Sequence, residues 1–175
     1  MPQTAAQIAY AKRQGIVSLE VDSLQLLEPE QSKQHRMHVA HAAISELAAG
    51  HDVLVYSSHS LDKVAETKTR GAELGFGKTE VSRLVSNALS DIVKAVTDAT
   101  GQRRLLIAGG ETSAAVCRGL GVDGVKILQE IEPGLPSCLS LGEPGLLLVL
   151  KSGSFGSEDF FCQGDGAFKG LGSEQ

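Results

Sequence analysis

The 175-residue chain is 42% hydrophobic and 21% charged with a formal net charge of −5, the balance of a globular domain and not of a disordered chain. No Lys/Arg cluster marks a basic face, aromatics are 4% with no Trp for a base-stacking platform, and no apolar run approaches the ~20 residues of a membrane span, so nucleic-acid and membrane partners are not expected. Cys117, Cys138 and Cys162 lie far apart without a CxxC pair, and the opening MPQTAAQIAYAKR has no apolar core of a signal peptide; both point to a reducing, cytoplasmic setting without a disulfide framework or zinc site.

Thr4-Ala-Ala-Gln7 predicts a capping box that opens a helix to about Gln14, where Gly15 stops it. Ile16–Val21 is a short β-rich run. A connection over Ser23–Pro29 precedes a long helix from Glu30 to Ala49, with Met37, Ala40, Ile44, Leu47 and Ala48 on one face. Asp52–Tyr56 predicts a strand buried on both faces. Leu61–Arg70 is helical up to Gly71. A second long helix covers Lys78–Thr100 with Val81, Leu84, Val85, Ala88, Leu89, Ile92 and Val96 as its stripe. Arg104–Ala108 is a buried strand that runs into Gly109-Gly-Glu-Thr-Ser113 and a further helix to about Leu120. Val125–Ile131, Ser137–Leu141 and Leu146–Leu150 then predict three strands separated by Pro- and Gly-bearing turns. A Gly/Ser tail follows over Lys151–Gln175, with a short amphipathic piece around Glu158–Cys162. Alternating strands and helices imply an α/β fold: one domain with a largely parallel, mixed sheet flanked by helices.

Several strings mimic functional motifs. Gly71–Thr79 has five residues where a phosphate loop needs four before GKT, and it follows a helix instead of a strand. Gly119-Leu-Gly-Val-Asp-Gly124 matches GxGxxG, yet it leaves a helix and enters a strand, the reverse of a dinucleotide fingerprint. His35, His38 and His41 are spaced three apart, which places His41 beside the apolar stripe and turns His38 and His35 toward solvent; no acidic partner completes a metal set. His59 lies in a loop at a strand end, where ligands bind in open α/β sheets, and equally reads as a surface histidine.

Two loops have the context that chemistry requires. Gly109-Gly-Glu-Thr-Ser113 links a buried strand to a helix start, whose unpaired N–H groups and positive end suit a phosphate. A plain capped turn, with Thr112 or Ser113 as the cap, fits equally well. Lys151-Ser-Gly-Ser-Phe-Gly156 also follows an apolar strand and offers N–H groups beside a cation. Together they suggest one polyphosphate gripped between two bends. Pro133-Gly-Leu-Pro136 is a rigid turn that serves as a nucleoside wall or as a connector.

The strings IAGGETSAAVCRGLGV, EIEPGLPSCLSL and LVLKSGSFGSEDFF, in this order and spacing, resemble the C-terminal nucleotide-binding domain of the four-carbon acid sugar kinases. The opening TAAQIAYA resembles the family segment after a Ser-rich inter-domain loop, so the resemblance covers nearly the whole chain. It implies binding of ATP with Mg2+ and phosphorylation of a tetronate or 3-oxo-tetronate held by an N-terminal domain that this chain lacks. It also implies that Gly110, Glu111, Thr112 and Ser113 contact the phosphates or their metal ion, and that Gly153 contacts the nucleotide from the other side. Gly109 and Lys151 join this set from the loop argument. Glu111 either holds Mg2+ through water or simply favours the helix dipole. No residue reads as a base for the acceptor hydroxyl, as expected if the base lies in the absent domain. The chain alone is then expected to be inactive, with a second copy as a candidate cover for its cleft face. The competing reading is a stand-alone, non-catalytic domain that binds a nucleotide or anion for regulation.

Overall fold

Residues 2–163 are described by the computed structural model, so Met1 and the part of the Gly/Ser tail beyond Gln163 lie outside the described residues. These residues cluster into two compact units, one built from residues 17–101 and the other from the flanking segments.

In the first unit, β1 (Val17–Val21) and β2 (Val53–Ser57) pair in parallel from Val17 opposite Val53 to Val21 opposite Ser57. Parallel neighbours need a crossover, and α2 (Pro29–Ala48) supplies it. Pro29 suits the first helical position, where its fixed φ is preorganised and its missing N–H is not needed. Helix α3 (Leu61–Glu73) is capped by the Ser60 hydroxyl, which accepts from the Lys63 N–H. Helix α4 (Lys78–Thr100) has its predicted bounds. The Glu80 carboxylate accepts the Gly77 N–H at 2.6 Å at its start, and Gly101 ends it at φ +68°. Val21, Val39, Ala43, Ala88, Leu89 and Ile92 form the core of this unit. Each of the larger side chains contributes about 1.5–3 kcal/mol by leaving water.

Three expectations about this unit are corrected. Met37 is 52% exposed, and the buried arc of α2 runs instead through Ser32, Val39, Ala40 and Ala43. α2 packs on α4, on β1 and β2 and on the 3-10 turn Gln25–Leu27, so four neighbours set its buried arc and not one stripe. Gly71 does not end α3 but lies buried inside it, where a Cβ would stand 2.7 Å from Val81 Cγ2 of α4. The Walker-like string is thus a close helix–helix contact followed by a turn. Gly71→Ala is expected to lower stability by about 1–3 kcal/mol in a denaturant titration, despite alanine's better helix propensity, because valine has no free rotamer with which to yield.

His38 and His41 are exposed, but His35 is half-buried and its Nε2 accepts the Asp22 backbone N–H at 2.8 Å. Its expected turn toward solvent is therefore corrected: it ties α2 to the end of β1, and burial lowers its pKa. His59 is exposed, with its ring edge-on to Tyr56 at 5.4 Å.

The other unit holds α1 (Pro2–Arg13) and a four-stranded sheet in the order β3-β6-β5-β4. β3 (Arg104–Ala108) has its predicted bounds and pairs in parallel with β6 (Leu147–Lys151). β5 (Leu135–Ser140) is antiparallel to both β6 and β4 (Val125–Glu132). Helix α5 (Gly110–Gly119) follows β3, and the GxGxxG string is its end and the turn into β4, with Gly121 at φ +68°. Leu135, Val149 and Phe160 form the core, Phe160 belonging to the predicted amphipathic piece. The α/β class with mixed pairing holds. The strands of the described residues form two sheets, however, and not one continuous sheet, with parallel pairing confined to β1–β2 and β3–β6. The two-residue Pro133-Gly134 turn admits only an antiparallel β4–β5 pair. No helix among the described residues is long and apolar enough to cross a membrane.

Candidate functional site

β3 and β6 are parallel and end level, Ala108 opposite Lys151, so the segments that leave them emerge from the same edge of the sheet. The Gly109 N–H donates to the Lys151 carbonyl at 2.8 Å, which joins the two bends directly. The two loops that the sequence singles out, from distant parts of the chain, are thus neighbours.

Gly109 adopts φ +103°, ψ +130°, a conformation reserved for glycine, and it caps α5. Thr112 and Ser113 do not cap the helix as the plainer reading has it; they are its third and fourth residues, because the glycine bend already supplies the non-helical cap position. The Ser113 N–H donates to the Gly109 carbonyl at 2.8 Å. The N–H groups of Gly110, Glu111 and Thr112 precede the first possible intrahelical acceptor and sit at the positive end of the helix dipole. Glu111 is exposed on this first turn.

On the other side of the Gly109–Lys151 bond, Lys151 is 1% exposed. Its ammonium donates to the Ser152 carbonyl at 3.0 Å and lies 3.5 Å from Thr4 Oγ1. Among the described residues no carboxylate forms an ion pair with it. Burial accordingly lowers its pKa from the ordinary lysine value. A buried cation without a counter-charge is costly unless an anion arrives to pair with it. Gly153 is buried beside it. Of the sequence-predicted site residues, Gly109, Gly110, Glu111, Thr112, Ser113, Lys151 and Gly153 therefore all lie at this one sheet edge.

The Pro133–Pro136 turn reaches the same loop. The Phe155 ring lies over Gly134, where φ is +77° and a Cβ would stand 2.8 Å from Phe155 Cε1. The Glu132 carboxylate accepts the Ser157 N–H at 2.9 Å and its hydroxyl at 2.7 Å.

Sequence reasoning missed the role of α1. The helix starts at Pro2, so Thr4 and Gln7 lie within it and form no capping box. Thr4 Oγ1 instead donates to the Gly153 carbonyl at 2.9 Å, and Gln3 Nε2 to Gly156 at 2.6 Å. Gln7 is fully buried, with Nε2 facing the carbonyls of Phe155, Gly156 and Ser157 at 3.2, 3.1 and 2.7 Å. Three carbonyls on one side fix the amide orientation, since the flipped amide would set oxygen against oxygen. The amide has two N–H groups for three carbonyls, so one N–H is shared between two of them; a full bond contributes about 0.5–1.5 kcal/mol net, while the unpartnered Gln7 Oε1 costs about 1–3 kcal/mol. The legible signal was a polar face at positions 3, 4 and 7 of an alanine-rich helix.

The model of the family described as "Nucleotide-binding C-terminal domain" matches residues 1–161. The chain belongs to that family. A 3-oxo-tetronate kinase of Cupriavidus necator is 40% identical over 171 residues, covering 97% of this chain and 36% of the relative. A 3-oxo-isoapionate kinase of Paraburkholderia graminis is 31% identical over 166 residues, covering 91% of this chain and 35% of that relative. Among solved structures, protein HI1011 of Haemophilus influenzae superposes with a TM-score of 0.80 at 26% identity, covering 95% of this chain and 38% of that one. The chain thus spans about a third of the length of the relatives it matches. The expected family resemblance holds along nearly the whole chain.

Proposed function

We propose that this nucleotide-binding domain holds Mg·ATP between the first turn of α5 and the loop after β6. Its role is to present the γ-phosphate to a hydroxyl of a four-carbon sugar acid, a 3-oxo-tetronate or close analogue, carried by another domain. The observation that supports it most is the direct junction of the two bends, Gly109 N–H to Lys151 carbonyl, beside a buried ammonium without an acidic partner. The names of the relatives support the acceptor class.

Phosphoryl transfer asks a protein mainly for positioning and charge neutralisation. The N–H groups of Gly110, Glu111 and Thr112 would take phosphate oxygens at the positive helix end, and Lys151 would neutralise charge from the β6 side. The γ-phosphoryl group passes to the acceptor oxygen, ADP leaves, and the hydroxyl proton goes to a base in the domain that carries the acceptor. Among the described residues no group of three or more His, Cys, Asp or Glu could cage a metal ion. That suits Mg2+, which prefers phosphate oxygens and waters to an all-protein cage; Glu111 is the carboxylate available to hold those waters. Mg2+ when bound would offset the triphosphate charge.

Isothermal titration of the chain with ADP, ATP and inorganic phosphate, with and without Mg2+, tests this reading. Micromolar, Mg2+-dependent nucleotide binding and phosphate binding at least ~100-fold weaker are expected. Phosphate bound as tightly as ADP would overturn it in favour of a bare anion site.

A further inference from the structure

We propose that Gln7, with Thr4 beside it, is the positioning residue that sets the anion-facing side of the loop after β6. The proposal rests on the reading of that loop as a phosphate contact. The carbonyls of Gly153, Phe155, Gly156 and Ser157 are all held by side chains of α1. In a trans peptide the C=O and the following N–H point in opposite directions. Drawing the Gly153 and Phe155 carbonyls onto α1 therefore turns the N–H groups of Ser154 and Gly156 away from it. Neither N–H has a partner among the described residues, whereas the Ser157 N–H is taken by Glu132. Thr4 acts on both components of the site: its hydroxyl donates to Gly153 and stands beside the Lys151 ammonium. Gln7 is also poorly explained as core packing. Its Oε1 is buried without a donor, and an apolar side chain of equal length would fill the space without that orphan. What only the amide provides is its grip on three consecutive carbonyls.

Gln7→Met keeps the length and removes the donors. Amide hydrogen exchange of the ligand-free full chain is expected to quicken by at least ~10-fold at Phe155 and Ser157, the loop amides whose N–H groups are hydrogen-bonded, and Mg·ADP affinity to fall by at least ~10-fold. A Val39→Ala variant, which opens a cavity in the core of the other unit, is expected to keep its affinity within about twofold. Unchanged exchange in the loop, or an equal affinity loss in Val39→Ala, would overturn the proposal. If Gln7→Met does not fold, Thr4→Val carries the same test at Gly153, with the same two results deciding it. If the wild-type chain binds no Mg·ADP, the nucleotide reading fails, and loop exchange alone decides whether Gln7 sets the loop.

Discussion

Lys151→Met is expected to weaken Mg·ADP binding roughly 100-fold while the ligand-free chain melts at the same temperature or higher. Lys151 is 1% exposed and has no acidic partner among the described residues, so its charge weakens the empty fold. Methionine fills nearly the same volume without an ammonium to desolvate. A bound phosphate reverses the balance. Losing a charged hydrogen bond in a buried site costs about 3 kcal/mol, or roughly 100-fold in affinity. A stability gain paired with a binding loss separates a ligand-directed lysine from a structural one. The pH dependence follows with a definite sign. Burial lowers the pKa of Lys151 in the folded chain, while the unfolded chain keeps it near 10.5. Between the lowered value and 10.5 the unfolded state binds more protons, so stability rises with pH across that window. Below the window the destabilising contribution is complete and constant. Denaturant titrations from neutral pH to about 10.5 are expected to show this rise in the wild-type chain and a flatter profile in Lys151→Met. Identical profiles would mean that the amine is not desolvated as the fold implies.

The elements that were legible in the sequence are those whose signal is local. Helix α4 carries a long apolar period between Gly77 and Gly101, and β3 is a short apolar run that ends at a glycine pair, so their bounds could be read directly. The two glycine-bearing loops were legible for a related reason: each follows an apolar run that ends at Gly or Gly/Ser residues, which places the bend although a plain capped turn fits the same string. What escaped depends on distant partners. Gln7 meets the loop carbonyls about 150 positions along the chain, and the polar face at positions 3, 4 and 7 does not say which distant segment it meets. Gly71 looks like a helix stop until Val81 is seen against it. Met37 fits the period of α2, yet the burial of that helix is set by four neighbours at once. The division into two sheets was equally hidden, because a strand's apolar pattern does not name the strand it pairs with.

Gly109→Ala and Gly110→Ala are expected to fail in different ways, and the contrast tests where the phosphates lie. At Gly109 a methyl group would have room, its nearest neighbour being Thr112 Oγ1 at 3.6 Å. The penalty comes from the backbone, since φ +103° with ψ +130° is strained for any residue with a Cβ, by about 1–3 kcal/mol. Relief of that strain would turn the Gly109 N–H from the Lys151 carbonyl and separate the two bends. Gly109→Ala should therefore lose both melting temperature and Mg·ADP affinity. At Gly110 the backbone is helical and nothing lies within 4 Å of an added Cβ. Alanine there should leave the empty fold as stable as before, or more stable by about 0.5–1 kcal/mol. The open space ahead of that helix start is nevertheless where a phosphate held by the first-turn N–H groups would sit. A methyl group placed in it is expected to reduce Mg·ADP affinity by at least ~10-fold with no loss of stability, a result readable by titration and thermal melting on the same sample. Wild-type affinity in Gly110→Ala would move the triphosphate away from α5 and leave the β6 loop as its main contact.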